Sequence, residues 1–124
     1  MVFETRNESQ FYTIPKAPGS TNVQFADVYT SKTGISETNS LTASCFVIKK
    51  SDVAGDAIPK YENEETGIVL KGTLNITDET GKKSTITSGG TFFVHRGSTM
   101  SFSTDDFAVC YKVANRPKIF SDVN

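Results

Sequence analysis

One histidine, His95, stands in a chain of 124 residues, and it bounds the chemistry open to the molecule. Most catalytic zinc sites and the two-histidine iron sites need at least two imidazoles, so both classes are excluded. His95 is also the one side chain whose ordinary pKa lies near neutrality. An imidazole facing a carboxylate or a phenol across a cavity is an acid/base pair that can move protons on a carbonyl substrate, and Glu65 and Tyr61 are the partners considered. Arg96 follows His95 directly and carries the fork that orients a carboxylate. Lys49, Lys71 and Lys112 each interrupt an apolar run; a lysine turned inward binds an anion or forms a Schiff base, while a solvated outer face is the default. Each candidate also has a bland reading: a turn histidine facing solvent, a hydrogen-bonded and idle carboxylate, an aromatic plug, a solvated turn arginine.

Cys45 and Cys110 lie far apart, each inside an apolar run, and no CxxC pair exists. A structural zinc site or redox dithiol is therefore excluded, and two buried free thiols in a reducing compartment are expected. The formal net charge of −1 leaves no electrostatic footprint for nucleic acid or an anionic membrane. No stretch approaches the roughly 18 apolar residues of a membrane span, and the first residues lack the apolar region of a signal peptide. A cytoplasmic protein acting on a small molecule, with no cofactor, is expected. No Gly-rich phosphate loop, nucleotide fingerprint or Ser-His-Asp arrangement is present, and Gly89-Gly90 precedes a strand, the wrong context for phosphate binding.

The elements that must position these groups are strands. Val and Ile number 18, Thr 16, and Leu with Ala only 10, a composition that suits pleated surfaces better than helices. Turn signals recur about every ten residues, the spacing of an all-β sandwich or barrel. Strands are predicted over 23–30, 43–50, 66–77, 82–88, 91–94, 99–103 and 107–114, with a further one around Phe11-Tyr12-Thr13-Ile14. Asp78-Glu79-Thr80-Gly81 closes the longest strand into a hairpin. Residues 1–22 form an N-terminal arm, 23–116 a small jelly-roll barrel and 117–124 a tail.

Two segments carry a family resemblance. Glu65-Thr66-Gly67-Ile68-Val69-Leu70-Lys71-Gly72 and Gly89-Gly90-Thr91-Phe92-Phe93-Val94-His95-Arg96-Gly97 reproduce the Glu-to-Gly and Gly-to-Gly spacings of the two cupin motifs, in order and across a hairpin. The chain resembles the cupin superfamily over residues 45 to 114, most of all small single-domain EutQ-like cupins. The resemblance implies a double-stranded β-helix of the RmlC-like type. It also exposes departures: where the family places three metal-binding histidines, this chain has Pro59, Tyr61 and Met100, and only the carboxylate Glu65 remains. A carboxylate beside a phenol and a thioether is a poor transition-metal site, so a metal-independent cupin is implied. Metal-free relatives, the sugar epimerases, use a His base and a Tyr acid at other positions.

By this analogy the strand face that carries Glu65, Gly67 and Val69 lines the barrel cavity, along with Tyr61 if the strand starts that early. The implied catalytic set is His95, Glu65 and Tyr61. The implied substrate-binding set is Phe46, Val69, Phe93, Arg96, Met100, Phe102 and Lys49, which predicts a partly apolar ligand. The reaction class is isomerase, cyclase or lyase-type proton transfer on a carbonyl-bearing metabolite, with a non-catalytic binding barrel as the alternative. The opposite face, Ile68, Leu70, Leu74 and Ile76, is strongly apolar and must be covered by the arm, another sheet or a second subunit. Cupins commonly pair through their sheets, and a homodimer is expected.

Overall fold

A computed structural model describes residues 3–13, 23–32, 39–50 and 60–117. Among the described residues seven strands follow one another: β1 (Val23–Thr30), β2 (Thr42–Lys49), β3 (Glu65–Asp78), β4 (Lys83–Thr87), β5 (Thr91–Val94), β6 (Met100–Ser103) and β7 (Phe107–Ala114). All pairings are antiparallel. One sheet runs β1-β2-β7-β3, with β5 on the far side of β3; the second joins β4 and β6 to the C-terminal half of β3. The all-β jelly-roll architecture read from the sequence is the one observed. Pro59 lies outside the described residues. Among the described residues no helix is long and apolar enough to cross a membrane.

β2 and most of β7 are buried on both sides, so these strands read as near-continuous apolar runs. Inside the barrel, Phe46, Ile48, Val69, Leu74, Ala108 and Cys110 form one core, joined by Phe25, Phe92 and Phe102. Outside it, Ala26, Val28, Ala43, Cys45, Val47 and Val109 form another, capped by Phe11. Phe11 comes from a 3₁₀ helix over Glu8–Thr13, and its ring stacks on Tyr111 at 6.5 Å. The predicted strand around Phe11 is therefore corrected to a 3₁₀-helical cover: residues 8–13 contribute an apolar anchor and no strand pairing. This cover sets Phe11 on the outer face of the sheet, against Tyr111.

A second correction concerns the sidedness of β3. Strict alternation would put Leu74 and Ile76 on the face of Leu70. Instead Leu70 packs in the outer core and Leu74 and Ile76 in the inner one. The register against β7 slips between Val69 and Lys71, and one extra residue in a strand inverts the facing of all that follow. Lys71, at the slip, is exposed and pairs with Glu8 at 2.9 Å. Gly72 then takes a φ of 81°, with the site of a Cβ only 2.1 Å from the Phe107 carbonyl oxygen, so only glycine fits.

Cys45 and Cys110 are free and buried. They sit in the outer and inner cores, on opposite sides of the same sheet, which keeps them from bridging.

Candidate functional site

At the start of β3, Glu65 faces inward and is only 6% exposed. Its backbone partner on β7 is Ala114, while Gly67 lies opposite Lys112. Lys112 extends diagonally and donates to both Glu65 carboxylate oxygens, each at 3.2 Å. Lys112 shares the inward face with Cys110 and Ala114 and is 7% exposed. Its Nζ also lies 4.7 Å from the Phe25 ring centroid and 5.4 Å from that of Phe46. The default of an outer, solvated lysine thus fails for Lys112: the β7 alternation turns it inside, where Glu65 compensates its charge. Burial lowers its pKa, opposed by the Glu65 charge and hydrogen bonds; the neighbouring Arg116 lowers it further.

Tyr61 precedes β3 and is held by its backbone. Its N–H donates to the Ser98 carbonyl and its own carbonyl accepts from Gly97 N–H, both at 2.8 Å. The phenol pKa is raised by burial and then by the Glu65 charge, against a lowering by Arg116. Tyr61 thus lies within electrostatic reach of Glu65, with its hydroxyl kept protonated.

A second buried ion pair, which the sequence analysis did not single out, lies beside the first. Arg116 donates from Nη1 to Asp27 Oδ2 at 2.9 Å and from Nη2 to Asp27 Oδ1 at 2.7 Å. Ser44 Oγ bridges, donating to Asp27 at 2.7 Å and accepting from Arg116 at 3.0 Å. Thr42 hydroxyl donates to the Arg116 carbonyl. Asp27 is fully buried, on the β1 face that also carries Phe25. The only local signal was a polar residue inside each of two apolar strands, Asp27 in β1 and Ser44 in β2.

His95 goes elsewhere. Val94 is buried opposite Glu65 in the β3–β5 pairing, so the neighbouring positions turn outward. His95 is exposed, and its ring rests on Phe93 at 4.9 Å. Phe93 is itself 54% exposed, and Arg96 is exposed in the following turn. The expectation that His95, Phe93 and Arg96 face the cavity is corrected: the one-residue alternation that buries Val94 puts the first two on the outer face. Lys49 is likewise exposed at the end of β2. Of the other predicted lining residues, Phe46, Val69 and Phe102 belong to the inner core, and the rings of Phe46 and Phe102 meet at 5.8 Å. Met100 opens β6 opposite Asp78, at the far end of β3 from Glu65.

The donor set does not fit a transition metal. A lysine ammonium occupies both oxygens of the one carboxylate at the family's position, with a phenol and a distant thioether in place of imidazoles. Among the described residues no group of three or more His, Cys, Asp or Glu is arranged to hold an ion. An external groove of about 350 Å³ between Tyr29, Leu41 and Tyr111 offers little chemistry, because Thr30 and Ser31 on its wall are already hydrogen-bonded to Thr42 and Leu41.

No protein-family model matches the sequence, and no curated protein does. Solved structures do. The ethanolamine utilization protein Q of Salmonella typhimurium LT2 superposes with a TM-score of 0.67 at 21% identity, covering 86% of this chain and 80% of that one. Ectoine synthase from P. lautus gives 0.68 at 14% identity, covering 93% and 79%. A cupin 2 conserved barrel domain protein from Salinispora arenicola CNS-205 gives 0.65 at 13%, covering 92% and 89%. The order of the strands, the two sheets shared through β3 and these superpositions identify the fold as the cupin barrel.

Proposed function

We propose that the inner end of the barrel, at Tyr61, Glu65 and Lys112, is a metal-independent site for proton transfer on a small, partly apolar, carbonyl-bearing metabolite. The observation that carries this reading is the bidentate contact of Lys112 with Glu65 at 3.2 Å, walled by Phe25 and Phe46. In such surroundings the charged pair Lys–NH₃⁺/Glu–COO⁻ and the neutral pair Lys–NH₂/Glu–COOH draw closer in energy than in water, because each charge loses its hydration. A couple of this kind can take a proton from a carbon next to a carbonyl and return it to another atom. Tyr61, kept protonated by its raised pKa, would donate a hydrogen bond to the carbonyl oxygen as it gains charge. Isomerisation, cyclisation and elimination all begin with that step.

The test is deuterium incorporation. Wild-type protein in D₂O with simple ketones is expected to accelerate exchange at the α-carbon, read by proton NMR, with Glu65→Gln and Lys112→Met abolishing the gain. Absence of any acceleration over buffer would reject the catalytic reading. A binding barrel without turnover is the second reading, favoured by one observation: both Glu65 oxygens are already engaged by Lys112. It predicts that the same ketones raise the melting temperature without α-exchange.

A further inference from the structure

Burial inside an aromatic wall with a second cation nearby is the environment in which lysines become nucleophiles. Lys112 has both, the Phe25 and Phe46 rings and Arg116 close enough to act on it electrostatically, with Glu65 on its Nζ as the proton acceptor. We propose that Lys112 forms a covalent imine with an aldehyde or ketone substrate, and that Glu65 shuttles the proton for its formation. The proposal rests on the barrel-site reading above and names the substrate class and the bonding mode for it.

The step balances within the pair. Lys112 ammonium gives a proton to Glu65, and the free amine attacks the carbonyl carbon. The C–N bond forms as the carbonyl π pair moves to oxygen, and the nitrogen's extra proton passes to that oxygen to give a carbinolamine. Glu65 then returns its proton to the hydroxyl, which leaves as water while the nitrogen lone pair forms the C=N bond. The product is an iminium held against the Glu65 carboxylate, with the charge of the pair unchanged. Replacing one buried cation by another in the same place keeps the compensation that the interior requires. The apolar wall also keeps bulk water from the iminium carbon.

The second buried lysine-like group, Arg116, is unsuited to this role. Its guanidinium stays protonated at any ordinary pH, and its nitrogens are committed to Asp27 and Ser44. Its place beside Lys112 is to disfavour a second positive charge there, which raises the share of free amine.

Reductive trapping tests the proposal on the protein as it stands. Wild-type chain is treated at pH 7 with one equivalent of butanal and cyanoborohydride, which delivers hydride to the iminium carbon and fixes it as a secondary amine. Peptide mapping by mass spectrometry then reads alkylation at every lysine. Labelling at Lys112 is expected to exceed the mean of the exposed lysines severalfold, and this preference is expected to vanish in urea. Labelling at Lys112 equal to or below the exposed mean overturns the proposal, and needs no folded variant to be seen. If Lys112 stays unlabelled while the chain still accelerates α-deuteration of ketones, the imine is rejected and the barrel-site reading stands. If Lys112 is labelled without any α-deuteration, the imine stands and the proton-transfer reading falls.

Discussion

Lys112 reaches past its own backbone partner, Gly67, to set its ammonium 3.2 Å from both oxygens of Glu65. Register and side-chain pairing are thus offset along the β3–β7 seam by one inward position. The space a side chain at Gly67 would need is filled by the Phe92 ring, 2.5 Å from the site of a Cβ, and the long lysine stem runs along the strand to Glu65. It joins the first residue of β3 to the interior of β7 and closes the inner end of the barrel with charge.

Removing one partner of this pair leaves the other charge buried and alone, which typically costs about 3–5 kcal/mol. Lys112→Met and Glu65→Leu are each expected to fall in that range by urea unfolding. The double variant is expected to recover most of the loss, since an apolar pair of similar volume fills the site without a charge to desolvate. Strictly additive losses would show that the two residues do not depend on each other.

Arg116 lies beyond β7, yet it ties β1 and β2 to the chain's C-terminal region through Asp27 and Ser44. Arg116→Met strands the fully buried Asp27 and is expected to destabilise by about 3 kcal/mol or more. Ser44→Ala removes one member of the network and is expected to cost about 1 kcal/mol. Arg116→Lys should rescue little, because one ammonium cannot reproduce the two-pronged contact. Thermal unfolding of the three variants checks the order.

The thiols give a pH signature. Burial pushes Cys45 up to about 12, with Arg6 opposing, and Cys110 up to about 12, with Lys112 opposing. Between pH 9 and 12 the unfolded chain loses thiol protons that the folded chain keeps. The folded state then binds more protons, so stability falls as pH rises. Each thiol contributes at most about 1.4 kcal/mol per pH unit to that slope. Lys112 acts in the opposite sense, since its lowered pKa makes the unfolded chain the better proton binder below its ordinary value of 10.5. The measurement is therefore a difference: Cys45→Ala with Cys110→Ala should flatten the decline of unfolding free energy above pH 9 relative to wild type. Native protein should also resist a thiol reagent at pH 8 that reacts fully in urea.

His95 sits outside the barrel on Phe93, so His95→Ala is expected to change stability by no more than about 0.5 kcal/mol. Any α-deuteration measured with wild type should persist in this variant. Loss of exchange with the fold intact would return His95 to the reacting centre.

The fold was legible because its evidence is local. The bounds of β1, β5 and β7 follow directly from alternation and turn residues, and Glu65 at the head of β3 follows from motif spacing. The site was legible only in part. Lys112 shares parity with Cys110 and Ala114 in a strand apolar on both faces, a pattern that already placed it inside; weighing it as an ordinary lysine hid the signal. The partnership of Asp27 with Arg116 spans 89 residues, and no local pattern encodes so distant a contact. His95 was misplaced for a simpler reason: one imidazole in a motif draws attention, while the burial of its neighbour Val94 decides its side.

The slip at Lys71 makes β3 a strand whose inside and outside trade places midway. An ordinary substitution there meets solvent and is cheap. Straightening the strand with every residue kept is another matter: alternation would run unbroken, Leu74 and Ile76 would turn to water, and Thr73, Asn75 and Thr77 would be driven into the aromatic interior. The position therefore tolerates almost any letter so long as the slip itself is kept. Its information lies in being counted, and a comparison of related sequences by identity alone would pass over it.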